Sequence, residues 1–390
     1  MSTPTTSELG SSITVEALDA DPFPIYARLR DEEPVCFVPA VGLHLVTRWD
    51  DVHHVATHPD VFTAEVDASP LVRTLGVNVL TVDGADHARM RAGMDAPMRP
   101  RAVEGYAPGV IEPIARRHLD AMAGEPGAEL MSAYCEPVSV LALGAVMGLG
   151  DLDADTLRRW FGDLATGGAN FEQDPEKQAV ADATSAEIDA RVGPLLDRLE
   201  REPDGSVLAH MLAADATRAE VLSNLKLILL GGMQEPGHAL GICVWALLTH
   251  PETLERVRAD RGLIRPAVEE ALRWHSPVGT QTRQVTQPVT LSGVKLAPGD
   301  ALAAVLASAN RDERHWADPD RYDIDRRGAH AAFGLGAHHC AGAPLARYEV
   351  RLPLEMLLDR FPNLRLDPAH EVELSGWEFR APTAVHVLWN

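Results

Sequence analysis

Phe333-Gly334-Leu335-Gly336-Ala337-His338-His339-Cys340-Ala341-Gly342 places one thiol on a glycine-rich loop. The apolar repeat that follows, Leu345, Val350, Leu354, Leu357 and Leu358, has the spacing of a helix. Gly334, Gly336 and Gly342 permit tight turns and close approach of a flat ligand. A thiolate just before a helix is favoured by the backbone N–H groups and the helix dipole, which suits a metal-bound sulfur. Zinc is a poor alternative, because His338, His339 and Cys340 are consecutive and cannot easily converge on one tetrahedral ion. An inert buried cysteine is the other alternative, and the glycine pattern argues against it. No Cys-x-x-Cys-His occurs, so covalent haem attachment of that type is excluded.

The remaining composition narrows the setting. With 390 residues and 46% hydrophobic content the chain can bury a large core, and no linker divides it. Residues 1–12, rich in Ser and Thr, are expected to be disordered, and they lack the basic and apolar runs of a secretory signal. Cys36, Cys135, Cys243 and Cys340 lie far apart, fitting a reducing cytoplasm. A net charge of −22 argues against nucleic acid as a partner. The longest apolar stretch, around Leu225 to Leu248, is interrupted by Glu235, Pro236 and His238 and falls short of the ~18 residues of a membrane span. It reads as a helix crossing the core.

Most of the chain has helical spacing, with a minority of strand. Asp21 to Leu29 opens an amphipathic helix, and Val35 to Phe37 with Leu43 to Thr47 read as a hairpin around Gly42. Helical periodicity dominates from about Ala102 to Trp274, with Asp151 to Gln178 expected to hold a mobile connection. Beyond Pro277 come short strands, Val289 to Leu291 and Val294 to Leu296, joined at Ser292-Gly293, and a strand-like tail from Val372 to Trp389.

The spacing Phe-x-x-Gly-x-His-x-Cys-x-Gly, complete from Phe333 to Gly342, resembles the haem-binding signature of the cytochrome P-450 family. Three further stretches carry the resemblance over nearly the whole chain. Glu270-Ala271-Leu272-Arg273 is similar to the family's Glu-x-x-Arg helix, and Asn310-Arg311-Asp312 and Asp318-Pro319-Asp320-Arg321-Tyr322 follow in order. The resemblance implies a mainly α fold with small sheets, one domain over residues 13–390, and haem b held between a distal helix and the cysteine-loop helix. Cys340 would be the axial ligand, with Phe333, Gly334 and Gly342 shaping its loop. Arg321 would join Glu270 and Arg273 in a structural network. Propionates need cations or donors, and His87, Arg91, Arg283 and His338 match the family's contacts. The positions carried over as substrate wall are Val77, Val79, Leu80, Leu229, Gly232, Met233, Val278, Gly279, Thr280 and Thr383.

A thiolate ligand favours O–O cleavage and oxidation of unactivated C–H bonds, so the resemblance implies a monooxygenase acting on a small to medium organic molecule. No flavin or iron–sulfur pattern is present, which implies a separate ferredoxin and NAD(P)H-dependent ferredoxin reductase. Arg99, Arg101, Arg347 and Arg351 are its expected docking patch, on a monomer.

The distal helix departs from the family. Where relatives carry Ala-Gly-x-Asp/Glu-Thr, an acid and an alcohol that relay protons, this chain has Gly231-Gly232-Met233-Gln234-Glu235-Pro236. Gln234 replaces the acid and Glu235 the threonine. Pro236 has no N–H for the Gly232 carbonyl, so a kink and a polar groove are expected. Three readings stay open: Glu235 as acid in an oxygen-dependent enzyme, Glu235 as base in a peroxide-using peroxygenase, or a haem protein that binds ligand without turnover. Glu235 turned toward solvent is the bland alternative.

Overall fold

The computed structural model describes residues 6–170 and 173–390. The expected disorder of residues 1–5 and the part of the expected mobile connection at 171–172 lie outside them. Glu8–Ser12 is helical rather than disordered. Ser7 Oγ caps it by accepting the Gly10 N–H at 2.9 Å, and Leu9 is buried. Polar composition read as disorder there was N-cap chemistry. Asp151 to Gln178 is likewise mostly ordered helix, Ala154–Gly168 and the start of Pro175–Arg201, capped by Asp153 and Asp174.

The expected small elements form as read. Asp21 accepts from the Phe23 N–H to cap helix Pro22–Glu32, and Pro22 opens it with a preset φ. Strands Val35–Val38 and Leu43–Val46 pair antiparallel, as do Val289–Leu291 and Val294–Leu296 around Ser292 and Gly293. The largest sheet runs in the order Val35–Val38, Leu43–Val46, Ala301–Val305, Thr280–Val285, Phe62–Thr63. All its pairings are antiparallel except the Leu43–Val46 to Ala301–Val305 pair. Its edge carries Thr63 and its fourth strand Arg283, both of which matter below.

The helical body surrounds the apolar helix Glu235–Thr249, which packs against Ala343–Arg360 and Ile264–Trp274. The stretch expected as one crossing helix is two, Arg218–Gly232 and Glu235–Thr249, broken where Pro236 removes a donor. Among the described residues no helix is long and apolar enough to cross a membrane.

Helix Ile264–Trp274 carries the ion pair that ties the body to the loops before Cys340. Arg273 meets Glu270 through two bonds of 2.8 Å, and donates to the carbonyls of Asn310 (2.7 Å), Pro319 (2.8 Å) and Arg321 (3.2 Å). Arg321 therefore gives the network only its carbonyl, and its side chain is exposed. The third charged member is Arg326, whose Nε donates to Glu270 at 3.1 Å. Removing one member of a buried pair strands the other charge. Arg273→Ala is expected to lower stability by about 3 kcal/mol, with Arg326 retaining part of the compensation; urea denaturation measures it.

Candidate functional site

The Cys340 loop is held by its own backbone. The Cys340 N–H donates to the Phe333 carbonyl at 2.8 Å, and the Gly334 N–H to Ala331 at 2.8 Å. Gly334 and Gly336 lie at φ 70° and 69°, a region that disfavours side chains, and a Cβ on Gly336 would stand 2.3 Å from the Ala56 carbonyl oxygen. Gly342, at φ −77°, needs no special conformation; it is the N-cap residue of helix Ala343–Arg360, and a Cβ there would lie 3.8 Å from Cys340 Sγ. Burial raises the Cys340 thiol, while the backbone amides of Gly342 and Ala343 and the charge of Arg91 draw it back. Arg347 stacks its guanidinium 4.3 Å above the Phe333 ring and is tied to Glu269 by bonds of 2.6 and 3.0 Å.

One edge of this region collects donors. His87 and His338 rings lie 4.3 Å apart, and Arg283 is buried nearby. Burial lowers Arg283 only to about 10, so it stays charged at neutral pH. His87 Nε2 and Arg283 Nη2 are buried without a hydrogen-bond partner among the described residues. Two unmet buried donors are costly unless an acceptor joins them, and anionic propionates fit that need. Arg91 is partly engaged, its Nε donating to Asp95 at 2.6 Å. His338 Nε2 is 2.8 Å from Asp83 Oδ1. Burial pushes the Asp83 carboxyl up, but bonds from His338, Thr63 and Ala64 outweigh it and hold it at about 2. The donor set, together with the half-buried Cys340 on its glycine loop, fits haem.

The helix expected as distal breaks between Gly232 and Glu235. The freed carbonyl that finds a new donor is that of Met233, which accepts from Ser139 Oγ at 2.6 Å, and His238 N–H resumes the helix at Gln234 at 2.8 Å. Gly231 is exposed with open space at its Cβ position, and Gln234 is half-buried. Glu235 is only 7% exposed, and among the described residues neither carboxyl oxygen has a hydrogen-bond partner, so the solvated alternative does not hold. Burial lifts it to about 8 against the pull of the Glu235 and Gln234 amides, so it is protonated at neutral pH.

The expected substrate wall is only partly assembled. Leu229 and Met233 are buried, Gly232 beside them is half-buried, and Val79 is placed by its N–H donating to Asn224 Oδ1 at 2.9 Å, with Leu80 adjacent. Val278 and Gly279 abut a C-terminal hairpin tip: Val278 bridges Phe379, and a Cβ on Gly279 would meet the Trp377 carbonyl at 2.0 Å. Gly279 is thus a packing glycine. Thr280 Oγ1 lies 3.4 Å from Glu378 Oε1. Two expectations fail. Val77 is 49% exposed, following the left-handed turn at Gly76, and Thr383 is exposed at the hairpin base, its N–H bonded to the Glu373 carbonyl. Phe379, at the tip, is the hairpin residue that pairs with Val278.

Residues that sequence reasoning missed are Asp83, Ser139, Asn224 and Glu349. Glu349 interrupts the apolar face of helix Ala343–Arg360, is 2% exposed with one unpartnered oxygen, and is raised by burial to about 8. A lone acid on an apolar stripe was the available signal. Its protonation and that of Glu235 give stability a direction. Both begin at 4.5 unfolded, so between 4.5 and about 8 the folded state holds protons that unfolding releases, and rising pH destabilises. His238, lowered by burial from 6.5 to about 4, acts oppositely, but its contribution is half spent at pH 6.5 and fades above it, too small to offset two carboxyls. The urea midpoint is therefore expected to fall from pH 6.5 to 8, less steeply in Glu349→Gln.

A cysteine on a glycine loop ahead of a helix, with buried donors at one edge, has the residues a haem-thiolate centre needs. The family model described as Cytochrome P450 matches residues 197–375. The chain is 34% identical to cytochrome P450 monooxygenase PikC of Streptomyces venezuelae, covering 95% of this chain and 92% of that protein. It is 34% identical to the mycinamicin IV hydroxylase/epoxidase of Micromonospora griseorubida over 93% of this chain and 94% of that one. Among solved structures, a myxobacterial cytochrome P450 in complex with myristic acid superposes with a TM-score of 0.86 at 29% identity, covering 96% of this chain and 98% of that one. P450BioI in complex with an acyl carrier protein carrying hexadec-9Z-enoic acid gives 0.87 at 26%, covering 94% and 98%. The chain belongs to the cytochrome P450 family. It is a haem monooxygenase with Cys340 as the axial thiolate, acting on a small molecule with electrons from redox partners.

Proposed function

We propose that this enzyme inserts one atom of O2 into a small to medium, largely apolar organic molecule and releases the other as water, using electrons from a separate ferredoxin and its NAD(P)H-dependent reductase, with Glu235 delivering the protons that the water takes up. Bound haem supplies electron transfer and O–O cleavage under the push of the thiolate. The observation that carries the reading is Glu235: buried at the break where the helix opens, without a partner among the described residues, and raised by that burial to about 8. A general acid must hold a proton at the working pH, whereas a peroxide-activating base must not.

In this reading His87, Arg91, Arg283 and His338 bind the propionates, and Phe333, Gly334 and Gly342 shape the thiolate loop. Gln234 is the polar neighbour of the acid. Leu229, Gly232, Met233, Val79, Leu80, Val278 and Phe379 line the substrate side, with Thr280 adding polarity. The molecules these relatives act on or bind, mycinamicin IV, myristic acid and carrier-protein-linked hexadec-9Z-enoic acid, support an organic substrate with a large apolar part. Exposed Arg99 and Arg101, with Arg351, would dock the acidic ferredoxin; Arg347, already paired with Glu269, is less available. The reading takes the protein as a monomer of the reducing cytoplasm, supported by four free cysteines.

A screen by haem spin-state shift identifies a substrate. Turnover of that substrate at pH 7 with O2, ferredoxin, reductase and NAD(P)H, exceeding turnover with hydrogen peroxide, is the expected result. The reverse preference would replace this reading with the peroxygenase.

A further inference from the structure

We infer that Asp83 is the positioning residue of the propionate edge, acting through the His338 ring. The inference rests on the reading that His87, Arg283 and His338 meet the propionates. Asp83 stands at the N-cap of helix Gly84–Met98, which carries His87 and Arg91, yet its side chain makes no capping bond. Its carboxylate is spent outward. Oδ2 accepts from Thr63 Oγ1 and from the Ala64 N–H, both at 2.7 Å, and Oδ1 accepts from His338 Nε2 at 2.8 Å.

These bonds join three parts of the site that the chain keeps far apart. Thr63 lies on the sheet-edge strand, whose partner strand Thr280–Val285 carries Arg283 two residues from the Phe62↔Val285 pair. His338 lies on the short 3-10 turn Gly336–His338 before Cys340. The helix with His87 begins at the next residue, Gly84, whose φ of 58° turns the chain away. One carboxylate thereby sets the spacing of the sheet, the cysteine loop and the helix. With Nε2 fixed on Asp83, the His338 ring can neither flip nor rotate freely, which holds it 4.3 Å from His87 at an interplanar angle of 52°. A buried ring without that acceptor would have to choose another rotamer or leave its donor unmet.

Asp83→Asn separates this role from plain structure. The carboxamide oxygen still accepts from Thr63 and Ala64, but its NH2 cannot accept from His338. Haem transfer from the holoenzyme to apomyoglobin is expected to speed up by about tenfold, the loss of one charge-assisted bond, while the urea midpoint of the protein stripped of haem stays near wild type. His338→Ala is expected to give a similar acceleration, and the double variant no more than either alone, because both remove one linkage. Arg283→Ala tests the underlying reading and should also release haem faster. If Arg283→Ala accelerates loss while Asp83→Asn does not, or if the Asp83 and His338 effects add, Asp83 is not acting through His338. If Arg283→Ala and Asp83→Asn both keep the wild-type rate, the propionate reading fails and this inference with it.

Discussion

Cys340→Ala is expected to abolish substrate oxidation, with a fall of at least about a thousandfold, or ~4 kcal/mol at 1.36 kcal/mol per tenfold. The loop should survive the change. Its shape rests on the Cys340 N–H to Phe333 bond, the Gly334 and Gly336 turns and the Arg347 guanidinium over Phe333, none of which uses the sulfur. Haem should still be retained in part if, as proposed, His87, Arg283 and His338 hold its propionates. What disappears is the electron-rich sulfur that favours O–O cleavage. Two measurements check this: turnover, and the absorption spectrum of the reduced carbonyl form, which reports thiolate ligation. Cys340→Ser, close in volume, controls for a cavity. A variant that kept the wild-type carbonyl spectrum would mean that another residue binds the iron.

That centre was legible because its chemistry demands a local pattern. A thiol flanked by turn-forming glycines and followed by an apolar helical stripe needs only ten consecutive residues to be seen, and a proline six residues into Gly231–Pro236 announces its own broken helix. Illegible features depend on residues distant in sequence. Ser139 reaches the Met233 carbonyl across 94 positions, and Asp83 reaches His338 across 255. Neither spacing carries a periodic signal.

Other misses came from choosing between near neighbours. Arg321 and Arg326 lie on one segment, and which guanidinium turns in to Glu270 depends on the backbone path after Asp318, which sits at φ 45°. Thr383 and Phe379 are four residues apart on one hairpin, and only its register, Leu374↔Pro382 and Ser375↔Ala381, shows which end reaches Val278. At the N-terminus the contribution of Ser7 and Thr14 lies in capping, which composition alone does not register.

Glu235→Gln is expected to slow oxygen-dependent turnover by about a thousandfold, within the usual span of general acid catalysis, and to remove a limb from the pH profile. The sign follows from burial. Glu235 sits at about 8, so the acid form prevails below that value, and wild-type turnover should hold from neutral pH upward until it declines through about pH 8. Gln cannot ionise, so its residual rate should not follow that limb. The substitution conserves volume and suits the site, because a neutral amide replaces a carboxyl already neutral in the fold, and it should not destabilise at pH 7. Glu235→Thr, restoring the alcohol that relatives carry, should recover part of the oxygen-dependent rate only to the extent that water can reach the break, since Gln234 cannot supply a proton. The peroxide reaction gives the opposing sign: a base at the same position works only when ionised, so its rate would rise through pH 8. Profiles with O2 and with hydrogen peroxide, each in wild type and Glu235→Gln, separate the two. An oxygen-dependent limb that persisted in Glu235→Gln would assign the proton to another group.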